Sequence, residues 1–345
     1  MRSIVLPPLS LLYGAVTRTR LSLYRRGTFQ TSKLDRPVIS IGNITTGGTG
    51  KTPLVEYVAR TIASQGKKVC ILTRGYGRKD AHLQVIVSDG YDVLASPAEA
   101  GDEPYLLATK LAGQAAVISS ADRIAAGQEA IKDFGTEAFV LDDGFQHLRL
   151  ARDLNIACID ATNPWGGGRL LPYGRLREAR EGLSRADCVV LTRCDQVESV
   201  EALRGEVSEL IEGRPIFESR MRPLRVTSLK NGPETIALPG RVGAFCAVGN
   251  PESFFESLRE LGYDVGLERA FTDHHAYSHA DVEELNRLAN ETGAYALITT
   301  AKDAVKLKGM SFALPCYVLE IEIAIDNADA FQQLVLDRIT GFSQD

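Results

Sequence analysis

Residues 42–53, Gly-Asn-Ile-Thr-Thr-Gly-Gly-Thr-Gly-Lys-Thr-Pro, set closely spaced glycines, a lysine and a hydroxyl at the spacing of a phosphate cradle. Glycines at 47, 48 and 50 let successive backbone N–H groups converge on phosphate oxygens, Lys51 adds a point charge, and the Thr52 hydroxyl can hold Mg²⁺. With Thr46 and Thr49 these residues form the expected nucleotide-binding run. The strict G-x-x-x-x-G-K-[ST] pattern asks for glycine at 45, where this chain has threonine, so the run fits the G-G-x-G-K-[ST] form more closely. A nucleoside triphosphate is the expected ligand.

Two carboxylates, Asp142 and Asp143, end the apolar run Phe139-Val140-Leu141. In a phosphate-binding protein this is where Mg²⁺ or its water shell sits beside the phosphates, although paired acids at a strand end also cap helices. Asp102, in Gly101-Asp102-Glu103-Pro104, opens a predicted helix and has the same capping alternative. Asp273-His274-His275 sets two of the five histidines side by side next to an acid. A carboxylate oriented by a histidine suits removal of a proton from an attacking alcohol; a surface turn is the plainer reading. The runs Arg74-Gly75-Tyr76-Gly77-Arg78-Lys79 and Leu170 to Glu178 gather guanidinium groups that fork onto phosphate, with a solvated basic rim as the alternative.

These residues need elements to hold them. Apolar runs at 37–41, 69–73, 115–118, 138–141, 155–159 and 188–192 alternate with helix-like stretches at 52–65, 103–112 and 121–133. That alternation predicts an α/β fold, with a P-loop NTPase-like parallel sheet domain over 27–215. Residues 216–240, which include Asn231-Gly232-Pro233, read as a two-stranded, hairpin-like linker, and the alternation resumes over 241–345 as a second, smaller α/β domain. In residues 1–26, Leu9, Leu12, Tyr13, Val16, Leu23 and Tyr24 fall near one helical face with Arg18, Arg25 and Arg26 close by. The apolar run is shorter than the ~20 residues that span a bilayer. It fits either a helix lying on an anionic membrane or one docked on protein.

Across 345 residues, 44% hydrophobic and 24% charged content suits sizeable cores and excludes a disordered chain. The net charge of −5 argues against a general nucleic-acid binder. Six cysteines without a C-x-x-C pair read as reduced, buried thiols.

With these pieces assembled, the chain resembles the tetraacyldisaccharide 4'-kinases of lipid A biosynthesis. The likeness is carried by Gly42 to Pro53, Arg74-Gly75-Tyr76-Gly77, Gly101 to Pro104, Asp142 to His147, Leu176-Arg177-Glu178, Gly249-Asn250-Pro251, Phe271 to Tyr277 and Lys302-Asp303-Ala304-Val305-Lys306. The resemblance implies transfer of the γ-phosphoryl group of ATP to the 4'-hydroxyl of a tetraacyl glucosamine disaccharide 1-phosphate, with Mg²⁺. It implies a monomer bound peripherally at the cytoplasmic face of the inner membrane, and so favours the membrane reading of residues 1–26. By motif, it implies that Lys51 and Thr52 hold phosphates and metal and that Asp142, Asp143 and Glu178 organise the metal region. Asp102 paired with His274 would accept the hydroxyl proton, and Arg74, Tyr76, Arg123 and Arg177 would contact the substrate. Asp102 and His274 fall in different expected lobes, which should close around ATP before transfer. The runs Pro172-Tyr173-Gly174-Arg175 and Thr300-Ala301 depart from the family pattern.

Other readings compete. The loop resembles the K-G-G-x-G-K-[ST] form of membrane-surface ATPase switches except that Thr46 stands at its first lysine, and Thr192-Arg193-Cys194-Asp195 resembles the guanine-reading [NT]-K-x-D run of GTP-binding switches except at Arg193. A nucleotide-dependent scaffold would bind ATP and leave no phosphorylated product.

Overall fold

The computed structural model describes residues 2–75, 78, 80, 82–230, 232–235, 240–273 and 275–342. Tyr76 and His274, both expected in the site, lie outside the described residues. The chain divides into unit 1, Met1–Arg220 with Ile323–Asp345, and unit 2, Met221–Glu322.

Unit 1 begins with helix α1 (Arg2–Arg25) and strand β1 (Val38–Gly42), followed by α2 (Lys51–Ala63), β2 (Val69–Thr73) and β3 (Val85–Ser88). It continues through α3 (Pro97–Ala100), α4 (Asp102–Lys110), β4 (Ala115–Ser119), α5 (Arg123–Phe134), β5 (Ala138–Asp142), β6 (Leu154–Asp160), β7 (Cys188–Thr192) and α6 (Glu201–Leu210) to β8 (Ile216–Ser228). In unit 1 the strands run in the order β8-β7-β6-β1-β5-β2-β4-β3, all parallel except β3, an antiparallel edge strand that no sequence pattern announced. Ile41 of β1 lies opposite both Asp142 of β5 and Ile156 of β6. The chain passes from β1 to β2 on one side of β1 and later crosses from β5 to β6 on the other, and such a switch point opens a crevice at the carboxyl ends of the strands.

The strands are buried on both faces. On one, Ala126 and Ala130 of α5 pack with Cys70, Leu72, Phe139 and Leu141; the other gathers Ile44, Phe145, Leu183, Val207 and Ile211. Asp122 caps α5 by accepting the Ile124 and Ala125 N–H groups, which sets Arg123 as its first residue. Helix α1 shows two faces. Ser10 donates to the Leu170 carbonyl (2.8 Å) and Tyr13 to the Arg177 carbonyl (2.9 Å), while Leu9, Leu11, Leu12 and Val16 remain 45–74% exposed. Tyr13 therefore belongs to the docked side, whereas Leu9, Leu12 and Val16, which its spacing groups with it on one face, are exposed. Among the described residues, no helix is long and apolar enough to cross a membrane.

Unit 2 comprises β9 (Gly232–Thr235), β10 (Arg241–Cys246), α7 (Pro251–Glu260), β11 (Asp264–Ala270), α8 (His279–Glu291), β12 (Ala296–Thr300), α9 (Ala301–Lys306) and β13 (Cys316–Ile325), whose last residues return to unit 1. Its parallel order is β11-β10-β12-β13, with α7 and α8 contributing to separate cores. β9 pairs antiparallel with the end of β8. The final helix, α10 (Ala328–Thr340), groups with unit 1 although the sequence reading assigned 241–345 to one domain. Phe331, fully buried, meets the rings of Phe217 at 5.1 Å and Tyr57 at 6.0 Å, and Gln332 Nε2 donates to the Tyr57 hydroxyl (2.8 Å).

Candidate active site

The loop between β1 and α2 is fastened on its inner side and open on its outer side. Asn43 Nδ2 donates to Thr49 Oγ1 (2.8 Å), the Thr192 hydroxyl at the end of β7 donates to the Thr49 carbonyl (3.1 Å), and the Thr46 N–H donates to the Arg175 carbonyl (2.7 Å). Gly47 (φ 117°) and Gly50 (φ 75°) take backbone that favours glycine, and a Cβ on Gly47 or Gly48 would meet nothing within 4 Å. Thr45 forms an antiparallel bridge with Leu176, and strand-like pairing has no need of glycine there. Lys51 and Thr52 open α2, whose first turn carries no acid, so the positive helix end and free N–H groups are left to an anion.

Asp142 and Asp143 are neighbours in opposite electrostatic states. Asp142 is 5% exposed and accepts a hydrogen bond from the Thr73 hydroxyl (3.0 Å). Burial, then the charges of Glu103 and Asp143, push its pKa up to about 6. Asp143 (φ 51°) lies 3.6 Å from Lys51 Nζ and accepts from Arg177 Nη1 at 2.7 and 2.8 Å. Burial alone would raise its pKa, but the Lys51 and Arg177 charges outweigh that and hold it below the ordinary value.

Glu178 is tied down at both oxygens. Arg185 Nη2 stands 2.8 Å from Oε2 and 3.0 Å from Oε1, and Gln146 Nε2 donates to Oε1 (2.7 Å) and to the Asn43 carbonyl (2.8 Å). Arg123 is 5% exposed, and its charge reaches both Asp143 and His147. His147 is lowered to about 4 by burial and then by Arg123, Arg152, Arg149 and Arg20, so it is neutral at physiological pH amid basic groups.

Asp102 is the first residue of α4, with Gly101 at the cap position. Gly75 explains how the arginine-bearing turn reaches this end: at φ 68°, a Cβ would collide with Ser119 Oγ and lie 2.8 Å from the Ala100 carbonyl. Gly75 is therefore pressed against the α3–α4 turn. The adjacent Glu103 is close enough to perturb Asp142, which brings the α4 terminus to the strand ends that carry the loop and the paired acids. In unit 2, His275 Nε2 lies 3.2 Å from Asp281 Oδ2 and its ring stacks on Phe271 at 4.7 Å, so of the two adjacent histidines this one is already engaged.

The structure thus gathers Lys51, Thr52, Asp142, Asp143, Arg123, Arg177 and Glu178 about the carboxyl ends of β1 and β5. Sequence reasoning missed Thr73, Glu103, Gln146 and Arg185. Gln146 and Glu103 sat inside quoted runs, whereas Arg185 carried no local signal.

A family model described as Tetraacyldisaccharide-1-P 4'-kinase matches residues 2–340. A Tetraacyldisaccharide 4'-kinase from Geobacter metallireducens is 46% identical over 88% of each chain, and one from Desulfotalea psychrophila is 38% identical over 98% of this chain and 97% of its own. The crystal structure of LpxK from Aquifex aeolicus, described as an "apo" form in complex with ATP, superposes with a TM-score of 0.78 at 34% identity, covering 96% of this chain and 97% of that one. With the whole described fold matched, the chain belongs to the tetraacyldisaccharide-1-P 4'-kinase family.

Proposed function

We propose that this chain transfers the γ-phosphoryl group of ATP to the 4'-hydroxyl of a tetraacyl disaccharide 1-phosphate. The observation that carries this reading is the Lys51–Asp143–Arg177 chain of charges set beside an open glycine loop. Loop amides from Gly47 to Thr52 receive the triphosphate, with Thr46 anchored to the Arg175 carbonyl at the loop's base, and Lys51 turns from Asp143 to phosphate oxygens. Arg177 then keeps Asp143 ionised.

Mg²⁺ fits the donor set. Asp142 has no ion pair like those of Asp143 with Lys51 and Arg177, and burial with the charges of Glu103 and Asp143 outweighs the Lys51 charge to raise its pKa, as in a carboxylate short of positive charge. Among the described residues no cluster of three His, Cys, Asp or Glu is placed to bind a metal alone, which suits an ion that takes one or two carboxylates and completes its shell with phosphates and water. Thr52, Asp142 and Asp143 would hold it, with Glu178 fixing Gln146 nearby. When bound, Mg²⁺ neutralises charge on the phosphate oxygens.

Asp102 accepts the proton of the attacking hydroxyl, assisted by His274, an assignment made on sequence grounds. Arg74, Tyr76, Arg123 and Arg177 contact the acceptor, whose own phosphate suits the basic surroundings of His147. The exposed leucines of α1 dip into the interface of the membrane that holds the acyl chains, which puts the enzyme peripherally at the cytoplasmic face of the inner membrane, as a monomer. In this reading residues 1–26 make the membrane contact, 27–215 bind nucleotide, and 216–240 link them to the 241–345 region.

Incubation with Mg²⁺-ATP and a tetraacyl disaccharide 1-phosphate, followed by mass spectrometry, should show the lipid gaining one phosphate at the 4' position. ATP hydrolysis with the lipid unchanged would instead favour the switch reading.

A further inference from the structure

Lys302-Asp303-Ala304-Val305-Lys306 is a quoted motif that the phosphate chemistry leaves without a task. Within unit 2 its charged residues meet the stretch 271–278. Asp303 is 0% exposed, and its Oδ2 accepts the Ala247 N–H (3.0 Å) beyond β10 and the Thr300 hydroxyl (2.7 Å) at the end of β12. Lys306 Nζ stands 3.8 Å from Oδ1. The buried Tyr277 phenol is near the same carboxylate but makes no hydrogen bond to it; burial first, and then that negative charge, raise its pKa. The Tyr277 ring packs edge-on against Phe245, Phe271 and His275 at 5.2–5.7 Å. One residue along α9, Lys302 Nζ reaches Asp273 Oδ1 at 3.4 Å.

Two successive residues of α9 thus meet the loop at 273 and near 277, on either side of position 274. A buried charge is costly unless paired, and an apolar plug would secure a loop as firmly. What paired charges add is one defined register. We propose that Lys302 and Tyr277, the latter beside Asp303, are positioning residues that fix residues 273–277 for phosphoryl transfer. The proposal rests on the assignment of His274 as helper of the proton acceptor.

The test is a set of kinetic comparisons on the full chain: Lys302→Met, Tyr277→Phe and His274→Ala, each alone, and Lys302→Met combined with His274→Ala. Lys302→Met and Tyr277→Phe should each lower kcat roughly 10- to 100-fold with KM for ATP within about twofold and Tm nearly unchanged. Lys302→Arg should restore most of the loss. In the double variant the losses should not multiply, because misplacement matters only through His274. Unchanged kcat in His274→Ala would overturn the base assignment and this proposal with it. Slow turnover in His274→Ala beside normal turnover in Lys302→Met and Tyr277→Phe, or losses that multiply, would overturn the positioning proposal alone.

Discussion

At the strand ends of unit 1, Lys51, Asp143 and Arg177 keep side chains 10–21% exposed around a loop whose outer side is open, whereas at the strand ends of unit 2 Asp303 is 0% exposed beneath Tyr277. Both are charge networks at carboxyl ends of parallel strands. The first consists of pairs that an incoming anion can exchange; in the second, Asp303 Oδ2 is fixed from within by the Ala247 N–H and the Thr300 hydroxyl. The contrast teaches that burial, more than charge, separates a receiving site from a supporting one.

The sharpest way to break the comparison is Lys51→Ala. It should lower kcat/KM on the order of 10⁴-fold, since the lysine's charge compensates phosphate in the transition state, while urea melts stay close to those of the parent. Asp102→Ala should lower kcat on the order of 10³-fold and leave ATP affinity by calorimetry nearly unchanged. Lost ATP binding with normal turnover would contradict its role.

Asp142 offers a pH test with a defined sign. Its folded pKa, about 6, lies above the unfolded value, so the metal-free fold gains from protonation below pH ~4 and loses that gain as pH rises through 6. Asp142→Asn should therefore be more stable than the parent at pH 7.5 without metal, by up to about 3 kcal/mol, with the advantage gone near pH 4 in urea melts. In the parent, the Mg²⁺ needed for half-maximal activity should climb roughly tenfold per pH unit below 6, because the ion competes with a proton. The smallest effect concerns α1: Leu11→Glu with Leu12→Glu, both on its exposed face, should cut co-sedimentation with anionic liposomes several-fold without shifting Tm.

The nucleotide end was legible because its chemistry is contiguous. A phosphate cradle needs neighbouring amides, so residues 46–52 announce themselves, and buried parallel strands such as 69–73 and 138–142 show as unbroken apolar runs. What stayed hidden depends on approach in space. Arg185 meets Glu178 across a short turn, Glu103 reaches Asp142 from another helix, and α10 returns to pack on Tyr57. The docked side of α1 is not legible from spacing, because apolar residues grouped on one face divide between docking and exposure, and the Leu170 and Arg177 carbonyls, distant in sequence, decide which side is held.

The central claim is that the amides from Gly47 to Thr52, with the Lys51 and Thr52 side chains, grip the triphosphate. A crystal structure with a nonhydrolysable ATP analogue and Mg²⁺ tests it most directly. The expected result is β- and γ-phosphate density against those amides, with Lys51 drawn from Asp143 to a phosphate oxygen. A bound analogue whose phosphates lie elsewhere, with the Lys51–Asp143 pair intact, would contradict the account.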